Sequence, residues 1–243
     1  MLNLELLKLR LAKLWHALAR PACWKALAAG VAPAVEHRAV LQALQVDGVI
    51  DVGANRGQFT LACSLAMPDV PIVAFEPIPE EARTYRRVHG HNPRVKLIES
   101  ALGEAKGTAM LHLSISADSS SLLPIGKKQT ELFENTGEIG TIKVQIQRLD
   151  DLSEHWAGRT RQLLKIDVQG YELNVLRGAV ETLKSCTHVY VECSEIPLYD
   201  GQALRGEVEV FLLEHGFGVK GRYNEQLSNG DLIQADYLFS RTK

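Results

Sequence analysis

Gly48-Val49-Ile50-Asp51-Val52-Gly53-Ala54-Asn55-Arg56-Gly57-Gln58 decides the fold of this chain. The first five residues are apolar apart from Asp51 and read as a buried strand, the glycines supply a sharp turn, and residues 58–67 have a helical pattern. A strand that turns directly into a helix presents a ligand at the carboxyl end of an open α/β sheet. The texture repeats downstream. Residues 72–75 read as a second strand, 79–89 as a charged helix opened by Pro79, and 95–98 as a third strand. That β-α-β-α-β order predicts a parallel sheet with right-handed crossovers.

Residues 107–150 break the alternation. Positions 110–115 and 142–146 alternate apolar and polar residues as half-exposed strands do, with polar stretches between them. They read as an insertion or lid, an edge hairpin with a loop. Regular alternation then resumes. We expect a strand at 163–167, a helix at 172–183, a strand at 188–192 and a helix at 207–215 ended by Gly216. Late strands follow at 217–220 and 235–240, around the polar turn Ser228-Asn229-Gly230-Asp231. At the other end, Leu4, Leu7, Leu11, Leu14 and Leu18 mark an amphipathic helix over 2–20, and a second helix is expected over 33–44. The expected division is an N-terminal helical extension, 1–46, and a main domain, 47–243.

Composition narrows the function. A chain of 243 residues holds one α/β domain and an appendage. The net charge of −2 lacks the basic excess of a nucleic-acid binder. Cys23, Cys63, Cys186 and Cys193 form no CxxC pair and read as reduced, buried thiols of a cytoplasmic protein. No run approaches the ~18–20 apolar residues of a membrane span. Glu5, Lys8, Arg10 and Lys13 interrupt any signal-peptide core. The N-terminal helix leaves three readings open: packing on the main domain or on a twin subunit in a homodimer, peripheral contact with an anionic membrane surface, or recognition of an acceptor.

The glycine turn points to a nucleoside cofactor. Gly53 lets a ligand approach without a Cβ in the way, Gly57 packs the helix start, and the free amides there favour an anionic group. Asp51 can receive a charged amine. Glu76 ends the next strand, 25 residues after Asp51, where an acid accepts ribose hydroxyls. A dinucleotide site would want G-x-G-x-x-G, which is missing, and no Tyr-x-x-x-Lys pair supports an NAD-dependent oxidoreductase or epimerase. The turn fits S-adenosylmethionine better. A non-catalytic cofactor-binding interaction module is a third reading, opposed by the joint presence of Asp51, Glu76, Asp167 and Glu172.

Four segments carry a family resemblance: Val49-Ile50-Asp51-Val52-Gly53-Ala54-Asn55-Arg56-Gly57, Ala74-Phe75-Glu76-Pro77, Ser100-Ala101-Leu102-Gly103 and, most specific, Leu164-Lys165-Ile166-Asp167-Val168-Gln169-Gly170-Tyr171-Glu172. Val175-Leu176-Arg177-Gly178-Ala179 continues the last. Over residues 48–240 the chain resembles the FkbM family of methyltransferases. The resemblance implies a Rossmann-like doubly wound, mostly parallel seven-stranded sheet of the class I methyltransferase type. It implies S-adenosylmethionine as donor and O-methylation of a sugar or secondary-metabolite hydroxyl, so the partner is a small-molecule or glycan acceptor. It places Asp51, Gly53, Asn55, Gly57 and Glu76 at the cofactor, with Ser100, Ala101 and Leu102 beside the adenine. Residues 118–122 look like a family segment that closes over the site.

Methyl transfer to oxygen needs a positioned acceptor and a proton sink. Asp167 is the leading candidate, for acceptor contact or as base. An unperturbed Asp near ~3.9 is a poor base, so burial or a carboxylate neighbour would have to raise it. Lys165 shares its strand face and is equally readable as an ion-pair partner. Glu172 is a candidate whose position at a helix start also suits capping. Asp167, Glu172 and Glu192 together could offer oxygen ligands to Mg²⁺. His89 and His91 are expected in a loop, and His112 is the weakest candidate base. None of the histidines has metal-ligand spacing.

Overall fold

The computed structural model describes residues 23–242. The expected helix over 2–20 therefore lies outside the described residues. Elements in chain order are α1 (Trp24–Ala28), α2 (Arg38–Ala43), β1 (Gly48–Val52), α3 (Gln58–Ala66), β2 (Ile72–Phe75), α4 (Pro79–His89), β3 (Val95–Ile98), β4 (Ala101–Leu102) and β5 (Gly107–Ser114). They continue as α5 (Lys127–Leu132), β6 (Glu138–Gln147), β7 (Gln162–Ile166), α6 (Glu172–Arg177), α7 (Val180–Leu183), β8 (Cys186–Ser194), α8 (Arg205–Glu214), β9 (Phe217–Ser228) and β10 (Asp231–Arg241).

Seven strands form the main sheet in the order β3-β2-β1-β7-β8-β10-β9. The first five are parallel; β10 runs antiparallel to both its neighbours. This is the doubly wound sheet expected from the sequence. Alternate residues of each central strand serve opposite layers. Ile50, Val52, Leu164, Ile166, Val189 and Val191 pack under α6, α7 and α8. Val49, Leu163, Tyr190 and Leu238 pack with Phe59, Ala62 and Cys63 of α3. Ala34, Val40, Leu41 and Val46 join this second core, so the described end of the N-terminal extension shares the core of the sheet. All four cysteines are free and buried. No helix among the described residues is long and apolar enough to cross a membrane.

Chain order reverses between β1, which leads out to β2, and β7, which leads the other way to β8. Side chains and loops after those two strands therefore part and leave a crevice at their carboxyl ends. The residues singled out from the sequence gather at or behind that crevice.

Three elements differ from the sequence expectation. The 107–150 insertion does make a hairpin, β5 with β6, but it pairs with β4 in a separate three-stranded sheet and does not extend the main one. The 172–183 helix breaks between α6 and α7 at Gly178-Ala179. A Cβ at Gly178 would fall on the carbonyl oxygen of Gly103, so the backbone must kink where these two chains touch. Late strand β9 is three times its expected length and β10 nearly twice. They are joined at Asn229-Gly230, both at positive φ (52° and 91°), which matches the twist of a tight hairpin.

Because Gly178 has an ordinary φ and only the close approach forbids a side chain, Gly178→Ala should cost about 1–3 kcal/mol of stability. Urea unfolding would register this as a lower midpoint with an unchanged slope.

Candidate active site

Glu76 closes β2 and is nearly inaccessible, at 4% exposure. Its Oε2 accepts the Asn55 backbone amide at 2.8 Å and its Oε1 the Ile78 amide at 2.7 Å. Each carboxylate oxygen keeps a lone pair, so the pair suits two adjacent ribose hydroxyls. Burial pushes the carboxyl up to about 7, against the lowering effect of those two amides. Asn55 itself sits at φ 49°, and its side chain accepts the Arg56 amide, which shapes the turn above Glu76.

A cleft of about 630 Å³ opens from this point. Gly53, Asn55, Phe75, Glu76, Ser100, Ala101 and Leu102 form one side, while Asp118, Ser121 and Leu122 of the insertion form another; Asp167, Val168, Gln169 and Tyr171 close the end. The Ser100 hydroxyl is buried there without a hydrogen-bond partner among the described residues. A buried orphan donor beside apolar Ala101 and Leu102 fits a heterocyclic base edge. The donor set therefore fits a nucleoside with a ribose diol and a flat base.

Behind the cleft, the sites expected from sequence divide. Asp51 is fully buried. Its Oδ2 accepts the Thr60 hydroxyl at 2.7 Å, and Thr60 in turn meets Tyr85 Oη at 3.0 Å. Its Oδ1 lies 3.3 Å from Lys165 Nζ. The amine facing Asp51 thus belongs to the chain itself. Lys165 also donates to the Gly53 carbonyl at 3.0 Å and lies 3.7 Å from Asp167. Burial alone would depress the ammonium, but Asp51 and Asp167 outweigh it and hold Lys165 above its ordinary value. Gly57 adopts φ 90°, and a Cβ there would strike the His89 ring. His89 is the last residue of α4, not a loop residue, and bonds the Gly57 carbonyl at 3.0 Å. Burial drives it down to about 4, so it is a neutral prop under the turn.

Glu172 is likewise buried behind the cleft. Its Oε1 accepts the amides of Val168 and Gly170, tying the loop after β7 to the start of α6. Burial pushes this carboxyl up to about 7. Asp167 does reach the cleft, with its side chain 38% exposed. Between Asp167 and Glu192 stands Gln169, whose amide nitrogen donates to both, at 2.7 and 2.8 Å. The Mg²⁺ set expected from sequence does not converge: Glu172 is committed to backbone amides and a side-chain amide separates the other two. Among the described residues no group of three or more His, Cys, Asp or Glu side chains is placed to share an ion.

Gln169 carries no signal of its own in the sequence, although it lies inside the Lys165–Glu172 segment. It is a non-glycine residue at φ 57°, its side-chain oxygen accepts Tyr199 Oη at 2.8 Å, and its carbonyl accepts Ser121 Oγ at 2.6 Å. It therefore joins the insertion, the end of β7 and the end of β8.

A family model of the methyltransferase FkbM domain matches residues 51–219. The chain belongs to the FkbM methyltransferase family. Its relatives include the 2-O-methyltransferase NoeI of Sinorhizobium fredii, 29% identical over 68% of this chain and 72% of that protein. The 31-O-demethyl-FK506 methyltransferase FkbM of Streptomyces tacrolimicus is 28% identical over 77% of this chain and 79% of that one. The hexuronic acid methyltransferase AglP of Haloferax volcanii is 30% identical over 64% and 59%. The chain is thus an S-adenosylmethionine-dependent methyltransferase, and the oxidoreductase reading falls away.

Two outcomes follow for this methyltransferase. Ribose hydroxyls placed on Glu76 would bind its ionised form, so binding would favour a form that predominates only above its free-state value of about 7. S-adenosylhomocysteine affinity measured by calorimetry should be full at pH 8 and fall towards tenfold per unit below pH 7. Glu76→Gln should flatten that dependence, whereas Glu172, which titrates in the same range outside the cleft, cannot. Lys165→Met should leave Asp51 buried and unpaired, lowering unfolding free energy by about 3–5 kcal/mol in a denaturant titration.

Proposed function

We propose that this methyltransferase methylates a hydroxyl oxygen on a sugar or a hydroxylated metabolite. The observation that carries the reading is the far end of the cleft, which Asp167 and Gln169 line, with Gln169 hydrogen-bonded to Asp167 and, behind it, to Glu192. Such groups match the donor-and-acceptor character of hydroxyls. Relatives named for 2-O- and 31-O- positions point the same way, and one named for a hexuronic acid points to a sugar.

In this reading Glu76 holds the ribose, Ser100 with the Ala101–Leu102 backbone meets the base, and the Gly53–Gly57 turn receives the amino-acid end. When bound, the cofactor supplies a methyl group on a sulfonium that is already a good leaving group. Asp51 and Lys165 act beneath the turn, fixing its carbonyls. Glu172 fixes the loop that carries Asp167 and Gln169, and Asp167 orients the acceptor hydroxyl. The four buried, free thiols suit a reducing cytoplasm. Partner contact through residues 2–20, with a twin subunit or a membrane surface, belongs to this proposal.

Purified protein incubated with tritium-labelled S-adenosylmethionine and extract of the source cells should yield a labelled product whose label resists mild base, as an ether does. Asp167→Asn should reduce the rate by roughly 100-fold through misplacement of the acceptor, with a far smaller change in S-adenosylhomocysteine affinity. No labelled product from the wild type, or label released by mild base as from an ester, would sink the reading.

A further inference from the structure

The chain after β7 reverses within three residues of Asp167. Gln169 at φ 57° and Gly170 at φ 97° are both left-handed, and only the second is a glycine. A side chain held in that region costs free energy and persists where its surroundings fix it. Here they do so from three directions. Glu172 Oε1 accepts the amides of Val168 and Gly170, one on either side of Gln169. Ser121 Oγ of the insertion donates to the Gln169 carbonyl at 2.6 Å. The turn so fixed lays the Gln169 side chain back onto Asp167.

We propose that Gln169 is a positioning residue, which holds the Asp167 carboxylate for the acceptor hydroxyl and is itself oriented by Tyr199. The inference rests on the hydroxyl-methylation reading above and names what Asp167 needs in order to serve it.

Gln169 Nε2 donates to Asp167 Oδ1 at 2.7 Å and to Glu192 Oε2 at 2.8 Å. Both N–H bonds of the amide are thereby spent on carboxylates. Asp167 Oδ2 makes no hydrogen bond among the described residues; Lys165 Nζ attracts it from 3.7 Å, beyond hydrogen-bond length. Asp167 lines the cleft, so this second oxygen is the one available to a hydroxyl.

Two carboxylates decide which way the amide points, because the reverse would set Oε1 against Asp167, oxygen against oxygen. Tyr199 supplies the donor that Oε1 then needs. Its Oη lies 2.8 Å from Gln169 Oε1 and 3.0 Å from the Ser119 carbonyl, and one proton is shared between them. Tyr199 is itself anchored. It is 2% exposed, its backbone amide donates to Gln202 Oε1 at 3.1 Å, and it bridges to Ile125 of the insertion.

Charge explains why a donor is needed at this point. Burial, then the fields of Asp167, Asp236 and Glu172, pushes the Glu192 carboxyl up, and the Gln169 hydrogen bond opposes them. With the amide removed, Asp167 and Glu192 would repel across the gap it fills, and Asp167 would be free to rotate.

The test uses the full chain, tritium-labelled S-adenosylmethionine and extract of the source cells. Gln169→Met keeps the stem and loses both donors. It should bind S-adenosylhomocysteine within about threefold of wild type, because Glu76 and Ser100 lie elsewhere along the cleft. Transfer should fall roughly 100-fold through a misplaced Asp167. A loss under tenfold overturns the proposal. A double-mutant cycle separates positioning from general damage. Asp167→Asn combined with Gln169→Met should transfer within about threefold of Asp167→Asn alone, since Gln169 acts through Asp167. A further loss above tenfold in the double variant overturns the proposal. Should Gln169→Met fail to fold, Tyr199→Phe decides. It removes one oxygen and should slow transfer roughly 3- to 10-fold, with no added loss in the Asp167→Asn background. An unchanged rate, or an added loss in that background, overturns the proposal. Absence of label with wild type overturns hydroxyl methylation itself and this inference with it. Label at comparable rates from wild type and Gln169→Met overturns the inference alone.

Discussion

A buried ammonium holds the centre of this enzyme together. Lys165 brings one positive charge between Asp51 of β1 and Asp167 just past β7, and directs its remaining donors to the carbonyls of the turn that follows β1. Strands β1 and β7 flank the point where chain order reverses and are paired in register from Gly48–Gln162 to Val52–Ile166. An ion pair out of water is seldom a net source of stability, because desolvation of both partners offsets their attraction. What it supplies here is position. With Lys165 charged, the turn carbonyls, Asp51 and Asp167 have one low-energy arrangement, and the donor cleft inherits it.

The sequence made the parallel half of the sheet legible because each strand there is short, apolar and bounded by its own helix. It also placed Gly53, Asn55, Glu76, Ser100, Ala101, Leu102 and Asp167 on the cleft. It could not say which acids face solvent. Asp51 and Glu172 look like ligands in one dimension; their burial follows from Lys165 lying opposite Asp51 across a strand pair and from the Val168 and Gly170 amides folding back onto Glu172. The Gly178 kink was equally hidden, since its cause is the Gly103 backbone 75 residues away in sequence. Strands β9 and β10 looked short because β9 is mostly exposed on both faces, so it lacks the alternation that marks a half-buried strand.

Polar groups past the ends of β7 and β8 form a network that no local pattern reveals. Gln169 is reached from the insertion by Ser121, from the loop after β8 by Tyr199, and itself reaches Asp167 and Glu192. His37, Tyr190, Asn224 and Asp236 come from four separate stretches of chain. Clusters of this kind depend on sheet register, and register is a property of strand pairs.

At Gly53 the chain after β1 and the chain after β7 meet through missing atoms, because a Cβ there would land on the Asp167 carbonyl. No side chain can be tried at that position without prising the two strands apart. Variation around this contact must therefore be borne by a part that reaches the cleft from elsewhere, the insertion, whose Asp118, Ser121 and Leu122 line it. The Gly53 end of the cleft is closed to evolutionary tinkering by steric fact, and the insertion side is open to it because Asp118 and Leu122 can be rewritten without disturbing that contact.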